Sequence, residues 1–562
     1  MEIPGHFSVA INTLAGLINI GLAGAAAGGG GPSLPVEPYE IPYPTEVRLE
    51  PSLAAPEVDA NGRATLVPDM QGLANGVPIT GGTVPPGGAP KVVTDVLGRT
   101  GLLFEGTQAL AIENTLASYT ANDCTAYAIV RYLDPTTTNV QSVFGVGRNG
   151  GGAPNTLRAF IAANGRWAAN GVAANSIPPF PSHGSRYLCD SAGTYGVERV
   201  ADASLRKMIL HSGLQVVACA GAGASGAAEV HHNDEYVTGL AAIQNGTTSM
   251  SGAEIGRHAF SGVASSYGTF VLYGLFVVRS KQTTAQIQAN IAAMMTAYKI
   301  GSIEHQIVLE GDSRFADSGA AGAGESKLGY LAPAMSDALM QRGLRNYRVI
   351  NHAIGGSLID ADVGATTFNI DKGLRNRRDY QNQSLFSGKW DLPGRNIVAV
   401  ETWYNDDGQT SSPTYTAATY TAARADEIYA NLIGLVSTDA RSYLSLGWEY
   451  VASISMPGSN TKEPSLLQMR GHLRSASFFS DMSAAPGQTY AGKVRRAEVP
   501  LSMPIAGSWG AYVLDASLPS NDARIRSNGG IYYDDQAHQL NICAPYIAAC
   551  LLDRIQGADP YV

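Results

Sequence analysis

The sequence is poor in charge and in cysteine. Only 15% of its 562 residues are Asp, Glu, Lys or Arg, the formal net charge is -9, and no dense run of Lys or Arg occurs. Because nucleic-acid-binding surfaces carry basic patches, this balance argues against a nucleic-acid partner. The five cysteines are an odd number without a CxxC pair, so they predict neither a zinc site nor a disulfide framework.

Cofactor motifs are also missing. A GxGxxG match occurs at Gly145–Gly150, but no helix pattern follows it, so a β-turn is the better interpretation. The sequence contains no GxSxG, which argues against the ordinary α/β-hydrolase fold. We therefore expect no metal and no cofactor.

The N-terminal segment is apolar and uncharged from Ser8 to Ala27, about long enough to span a bilayer. However, it contains Asn12 and Asn19, and no Lys or Arg precedes Arg48, whereas a secretory signal has a basic start. We interpret residues 1–27 as an anchor that docks into a partner or an oligomer. A cleaved signal is the alternative.

Glycine and proline are abundant, at 64 and 29 residues. Residues 28–90 are rich in both, which predicts an extended linker that wraps on a surface. Residues 91–300 show short alternating apolar runs between turn signals, which is typical of a β-sandwich. A helix is predicted at its end, over Thr283–Tyr298. The predicted strands are Gly101–Phe104, Ala126–Arg131, Ser142–Val146, Lys207–His211, Val216–Cys219 and Gly268–Val278.

Residues 301–562 alternate between strand and helix patterns, which predicts a second domain with a parallel sheet. Ligands of such sheets lie at the carboxyl ends of the strands. Residues 457–530, rich in Ser, Pro and Arg, are interpreted as an insertion. The predicted strands are Ile307–Glu310, Tyr347–Asn351, Asn396–Glu401 and Ser442–Leu446, and the predicted helices are Ser326–Arg342, Thr416–Val436 and Asn541–Ile555.

A candidate nucleophile follows the first of these strands, in Gly311-Asp-Ser313. A serine hydroxyl needs a base to take its proton. Asp535 and His538 lie three residues apart just before the last predicted helix, so one short turn can present both side chains together. The carboxylate would then orient the imidazole that relays the proton. The competing interpretation of His538 is a helix-capping or core histidine.

Two further groups follow strands of the same predicted sheet. Gly356 offers a backbone N–H, and Asn405 offers a side-chain amide. With the N–H of Ser313 they would supply three donors to a developing oxyanion. Each motif alone arises by chance in a chain of this length, so their common order and context carry the hypothesis.

This ordered set resembles the SGNH (GDSL-type) hydrolase family, whose members are esterases, lipases and carbohydrate deacetylases. The resemblance covers roughly residues 303–556 and implies a three-layer α/β/α fold. Ser313 would be the nucleophile, with Asp535 and His538 completing the triad. Its backbone N–H would join Gly356 and Asn405 in the oxyanion hole.

The sequence departs from the family pattern in three places that bear on the substrate, one of them the segment after Ser313, where a Gly/Ala-rich loop runs to Gly324. Trp403 stands where the third block has glycine, and Ala353 stands where glycine is common in the second block. Trp403 and Tyr404 could stack on a sugar ring, and simple packing is the alternative. Arg314, next to the nucleophile, is a further candidate for substrate binding.

The predicted sandwich resembles a concanavalin-like (laminin-G-like) jelly roll in Gly101–Phe104, Glu254–Arg257 and Tyr273–Val278. Together with the hydrolase-like part, it resembles the esterases of bacteriophage tail fibres and tailspikes. This implies a glycan substrate, removal of acetyl groups, a location in the virion tail or outside the cell, and contact with other tail proteins through residues 1–27. A homotrimer is expected for a fibre. The alternatives are a non-catalytic adhesin or structural virion protein, and a secreted bacterial carbohydrate esterase.

Overall fold

A computed structural model describes somewhat less than half of the chain, and β-strands form nearly half of the described part. The described residues are 36–79, 88–112, 125–133, 140–147, 158–164, 211–220, 229–233, 235–237, 252–260, 263–265, 268–311, 315, 330–351, 353, 391–401, 437, 440–441, 443–454, 493–498, 502–505, 512–515 and 544–557.

The N-terminal part of the fold consists of short strands followed by one helix. Its elements are β1 (Val47–Leu49), β2 (Glu57–Val58), β3 (Ala64–Leu66), β4 (Gly76–Pro78), β5 (Lys91–Thr94), β6 (Thr100–Glu105), β7 (Leu110–Ile112), β8 (Thr125–Tyr132), β9 (Val140–Gly147), β10 (Arg158–Asn164), β11 (Gln215–Ala220), β12 (Glu229–His232), β13 (Glu235–Val237), β14 (Gly252–Ile255), β15 (His258–Phe260), β16 (Val263–Ser265), β17 (Thr269–Val278) and α1 (Thr284–Ala297).

The C-terminal part alternates strands with helices. Its elements are β18 (His305–Gly311), α2 (Leu331–Gln341), β19 (Tyr347–Asn351), β20 (Asn396–Glu401), β21 (Glu449–Ile454), β22 (Val494–Glu498), β23 (Ser502–Ile505), β24 (Tyr512–Asp515) and α3 (Ala544–Gln556).

Two antiparallel sheets form a sandwich in the N-terminal part. One has the order β13-β12-β11-β8-β17-β6-β5, with β1 added to β17, and the other has the order β10-β9-β14-β7-β4. Phe104 and Phe270 of the first sheet stack at 4.8 Å between ring centroids. They share one core with Phe144 and Ile255 of the second sheet. This common core confirms the predicted β-sandwich, here called the sandwich region.

Helix α1 covers the other face of the larger sheet. Ile287, Ile291 and Met294 recur at helical spacing and are buried against that sheet. The helix begins at a capping box in which Thr283 and Gln286 satisfy each other's backbone N–H groups. The predicted helix is therefore confirmed.

The linker predicted for residues 28–90 needs correction over its described part. Residues 36–79 supply β1, which pairs with β17, and β4, which pairs with β7. Val47 and Leu49 are buried in the shared core. The prediction missed these strands because they are only three residues long and lie among prolines and glycines, which hide the alternation.

A five-stranded parallel sheet, β19-β18-β20-β21-β22, organises the C-terminal part, here called the parallel-sheet region. Helices α2 and α3 pack together on one face, with Met335 and Leu551 against Ile307 and Val349. Strand order reverses between β18 and β20, because β19 was added on one side of β18 and the later strands on the other. Parallel sheets of this kind bind ligands at such a reversal.

One predicted strand, Ser442–Leu446, is wrong. Residues 443–445 are helical, and Gly447 ends the turn with a φ of 88°. Ala440, Tyr443 and Leu444 are buried at helical spacing, which the short apolar run did not reveal. The fourth strand of the sheet is instead β21.

The insertion predicted for 457–530 also needs correction, because it contains β22, the fifth strand of the sheet. Its arginines hid the strand pattern. Arg495 forms an ion pair with Glu449 at 3.2 Å and donates to the Arg554 carbonyl at 3.1 Å, so the charge is satisfied at the sheet edge. The remaining described part of this range forms the β23–β24 hairpin.

Several predicted segments are not tested. Lys207–His211 is described only at His211, which lies outside a strand, and Thr416–Val436 and residues 1–27 lie outside the described residues. The division into 91–300 and 301–562 stays a prediction. No helix in the described part of the chain is long and apolar enough to cross a membrane.

The two regions meet through a buried polar contact. Arg131 of β8 forms an ion pair with Asp337 of α2 at 2.7 Å and donates to the backbone carbonyl of Pro333. The N–H of Ser212 donates to the carbonyl of Val349 in β19 at 3.0 Å. The sandwich region therefore contacts the same sheet whose carboxyl edge carries the candidate site.

Candidate functional site

Three chain segments that are predicted to carry site residues leave the parallel sheet at its carboxyl edge. Strands β18, β19 and β20 run side by side in the same direction and end at Gly311, Asn351 and Glu401. The predicted site residues follow these strand ends or precede α3, and all lie outside the described residues: Ser313, Arg314, Gly356, Trp403, Tyr404, Asn405, Asp535 and His538. Their side-chain geometry therefore stays a prediction, and the structure describes the frame that carries them.

Gly311 lies where a side chain on β18 would collide with the backbone of β20. Its φ is 147°, and a Cβ placed on it would lie 2.0 Å from the carbonyl oxygen of Glu401. No side chain fits so near a backbone atom, so the first residue of Gly311-Asp-Ser313 has to be glycine. The chain segment that carries Ser313 consequently starts between β18 and β20, where the strand order reverses.

The segment is anchored again two residues after Ser313. The side chain of Phe315 is 1% exposed and packs in the core beneath α2. Its carbonyl accepts a hydrogen bond from Nδ2 of Asn351 at 3.0 Å, and Oδ1 of Asn351 accepts one from the N–H of Ala353 at 3.1 Å. The last residue of β19 therefore holds both the segment after β18 and the segment that leads to Gly356.

Two buried carboxyl groups lie at the same edge, and sequence reasoning missed them. Glu310 and Glu401 are each 2% exposed. Glu401 shares the strand face of Ile397 and Ala399, which contact the helices, whereas Glu310 follows Leu309 and points to the opposite face. The two therefore do not form a carboxylate pair for acid–base chemistry. The sequence did offer a signal for them, because each of the predicted strands Ile307–Glu310 and Asn396–Glu401 is apolar and ends in a glutamate.

Helix α3, which begins six residues after His538, runs from the carboxyl edge of the sheet toward its amino edge. The carboxyl end of the helix lies at the opposite, amino edge, because Arg395, next to the start of β20, donates to the Ile555 carbonyl at 2.8 Å. Thirteen helical residues span about 20 Å, the length of a six-residue strand. The amino end of α3, six residues after His538, therefore points toward the carboxyl edge.

A second cluster of buried titratable groups lies at the junction of the two regions. Burial lowers the pKa of Arg348 to about 9, and its guanidinium donates to Oε1 of Gln306 at 2.8 Å. His211 is also buried there, and burial, then His232, Arg348 and Arg131, hold its pKa well below the usual value. Among the described residues, no group of three or more His, Cys, Asp and Glu is arranged to hold a metal ion.

Comparison with known proteins yields low similarity. No protein-family model matches the chain, and no curated protein matches it. A Trypanosoma rangeli sialidase in complex with 2,3-difluorosialic acid is similar with 13% identity and a TM-score of 0.28, over 45% of this chain and 33% of the sialidase. The chain thus matches a third of the length of that protein.

Two other solved structures are similar at the same level. Domain 4 of an extracellular arabinanase from Geobacillus stearothermophilus, in complex with arabinotriose, has 13% identity and a TM-score of 0.29, over 44% of this chain and 98% of that domain. A botulinum neurotoxin serotype D binding domain has 8% identity and a TM-score of 0.27, over 45% and 51%. We assign neither a family nor an activity from likenesses of this size.

Proposed function

We propose that the parallel-sheet region is a serine esterase of the SGNH type that removes acyl groups, acetyl in the first instance, from a polysaccharide. The observation that carries the proposal is the place where β18 ends, two residues before Ser313. Gly311 ends β18 against β20, at the reversal of strand order, and Ser313 follows two residues later. A nucleophile at that place would lie where parallel sheets of this order bind their ligands.

The remaining members of the proposed site also belong to segments next to the carboxyl edge of the sheet. Gly356 comes five residues after β19 and Asn405 four residues after β20, so both belong to segments that leave the same edge. The orientation of α3 supports the approach of Asp535 and His538 to that edge. The sheet order therefore favours one shared site for groups that are far apart in the sequence.

The proposed reaction is a two-step acyl transfer. Ser313 Oγ attacks the ester carbonyl while His538 takes its proton, and Asp535 stabilises the imidazolium. The N–H groups of Ser313 and Gly356 and the amide of Asn405 bind the oxyanion. The C–O bond to the sugar breaks, and His538 returns the proton to the sugar hydroxyl. Water, deprotonated by His538, then attacks the acetyl carbon, the bond from that carbon to Ser313 Oγ breaks, and His538 returns the proton to Oγ as acetate leaves.

The proposed substrate and setting follow from the rest of the chain. Trp403 and Tyr404 would stack on a sugar ring beside the nucleophile, and Arg314 would bind polar groups of the glycan. The apolar segment 1–27 would attach the protein to other tail proteins, which fits an esterase of a bacteriophage tail fibre or tailspike, assembled as a homotrimer. An adhesin of the same architecture is the competing function.

Ser313→Ala tests the nucleophile. We expect acetate release from an aryl acetate and from acetylated polysaccharide to fall by at least about 10³-fold, because removing the nucleophile eliminates the covalent route. Ser280→Ala, at an exposed serine after β17, should retain the wild-type rate. Equal release by the wild type and Ser313→Ala would exclude this nucleophile. No release by the wild type would favour the adhesin.

The pH profile tests the base. Because His538 has to be neutral to accept the proton, kcat/KM should rise with pH through its titration and then level off. Initial rates with an aryl acetate between pH 5 and pH 8 measure this. A flat profile over that interval contradicts the assignment of His538.

A further inference from the structure

Asn351 occupies an unusual position at the end of β19. Its side chain is fully buried, and both halves of its amide are engaged. Nδ2 donates to the carbonyl of Phe315 at 3.0 Å, and Oδ1 accepts from the N–H of Ala353 at 3.1 Å. Neither contact belongs to the β-ladder. The Nδ2 contact reaches a segment 36 positions earlier in the chain, whereas the Oδ1 contact closes the turn directly after β19.

The first of these contacts acts on a very short segment. Three residues, 312–314, separate Gly311 from Phe315, and Ser313 is the middle one. Gly311 is held on one side by its pairing with Glu401 in the sheet. Phe315 is held on the other side by its side chain in the core and by Asn351. Of the two contacts at Phe315, only the hydrogen bond acts directly on the backbone.

We infer that Asn351 is a positioning residue, which fixes the backbone after Ser313 and thereby aims the nucleophile. The inference rests on the proposed esterase function. Asn351 does not touch the substrate, so its effect is on the geometry of attack rather than on affinity. Misplacing a nucleophile by about 1 Å can cost about a hundredfold in rate. Loss of the contact should therefore lower kcat and leave KM nearly unchanged.

Asn351→Asp removes the donor to Phe315 and keeps an acceptor for Ala353 in a side chain of the same shape. We expect kcat for an aryl acetate to fall about 10- to 100-fold, with KM within about twofold of the wild type. If the aspartate variant does not fold, Asn351→Leu, which carries no charge, should show the same lowered kcat with a nearly unchanged KM. A wild-type kcat in a folded variant overturns the inference.

Asn396→Asp is the matched control. Asn396 begins β20 at the opposite edge of the same sheet, where Oδ1 accepts from Leu392 N–H at 2.9 Å and Nδ2 donates to its carbonyl at 3.0 Å. The substitution makes the same chemical change without touching the Ser313 segment. Its kcat should stay at the wild-type value. An equal fall in kcat for both variants would show a general loss of stability and overturn the positioning role.

Hydrogen exchange gives a readout that does not require activity. Backbone amides in a peptide spanning residues 307–320 should exchange at least about tenfold faster in Asn351→Asp, because opening of a segment is governed by its local contacts. The peptide that contains β21 should exchange as in the wild type. Unchanged exchange over 307–320 overturns the inference. Full activity of Ser313→Ala would refute the esterase alone, and the exchange result would still decide the role of Asn351.

Discussion

The sandwich region and the parallel-sheet region bury polar side chains in different places. One such group in the sandwich region lies between the larger sheet and α1, where Tyr127 bonds to Gln282 and Asn290 bonds to both. In the parallel-sheet region Asn351 and Glu401 are buried at the strand ends from which the predicted site segments leave. These particular groups thus join layers in one region and lie at a sheet edge in the other.

Asn290 and Asn351 show the contrast within one residue type. Asn290 donates to the carbonyl of Tyr43 at 3.0 Å and accepts from its N–H at 2.9 Å, so it pairs with a distant segment as a strand would. Asn351 bonds to two segments that leave the sheet. A buried amide stabilises only if its hydrogen bonds are made, so both are expected to tolerate substitution poorly. Only the second should affect catalysis.

The largest expected effect comes from adding one methyl group at the strand end. Gly311→Ala places a Cβ 2.0 Å from the Glu401 carbonyl oxygen. This oxygen belongs to the backbone of β20, which cannot shift without breaking the sheet. We expect a loss of about 5 kcal/mol in the free energy of unfolding, measured by denaturant titration, together with loss of esterase activity. A stable, active Gly311→Ala protein would contradict the close approach of β18 and β20.

Two other glycines sharpen this comparison. Gly256→Ala in the sandwich region would place its Cβ 2.6 Å from the Gln108 carbonyl oxygen, so it should destabilise as well but leave kcat of the folded fraction unchanged. Gly343→Ala has a φ of 76° and open space around it. It should cost only about 1 kcal/mol.

The second effect concerns the contact between the regions. Arg131→Met leaves Asp337 and two backbone carbonyls without their donor in a buried place. Breaking a buried pair in this way should cost about 3 kcal/mol in the free energy of unfolding. The control is Arg342→Met, whose pair with Asp553 is largely exposed and should contribute less than about 1 kcal/mol. Equal costs for the two variants would exclude a structural contact at Arg131.

The smallest effect is a pH dependence. Burial, then His232, Arg348 and Arg131, keep the pKa of His211 well below that of the unfolded chain, so His211 is neutral in the fold. Its stability contribution is complete above about pH 6.5 and is lost as the pH falls, because the unfolded chain then takes up a proton. His211→Gln should reduce the slope of the unfolding free energy below pH 6.5 by up to about 1.4 kcal/mol per pH unit. An unchanged slope would contradict a neutral, buried His211.

Strands with a continuous apolar run and a helix with a clear capping signal were predictable from the sequence. Tyr347–Asn351 and Asn396–Glu401 are the bounds of β19 and β20, and α1 begins at the capping box. The errors occurred where local pattern is weak. Strand β1 has three residues, β22 carries two arginines, and the apolar residues at 443–444 fit a helix as well as a strand. Pairing with neighbours decided these elements, and pairing is not visible in a short window.

For the candidate site, the sequence alone determined the inventory: a Gly-Asp-Ser segment after an apolar strand, glycine and asparagine after two others, and an Asp/His pair before the last helix. Only the tertiary structure decided that β18 lies between β19 and β20, that Gly311 touches the Glu401 backbone, and that Asn351 holds Phe315. The physical reason is the sequence distance over which each interaction acts. Periodicity and caps act over a few residues, whereas strand order and a hydrogen bond across 36 positions depend on how the whole sheet packs.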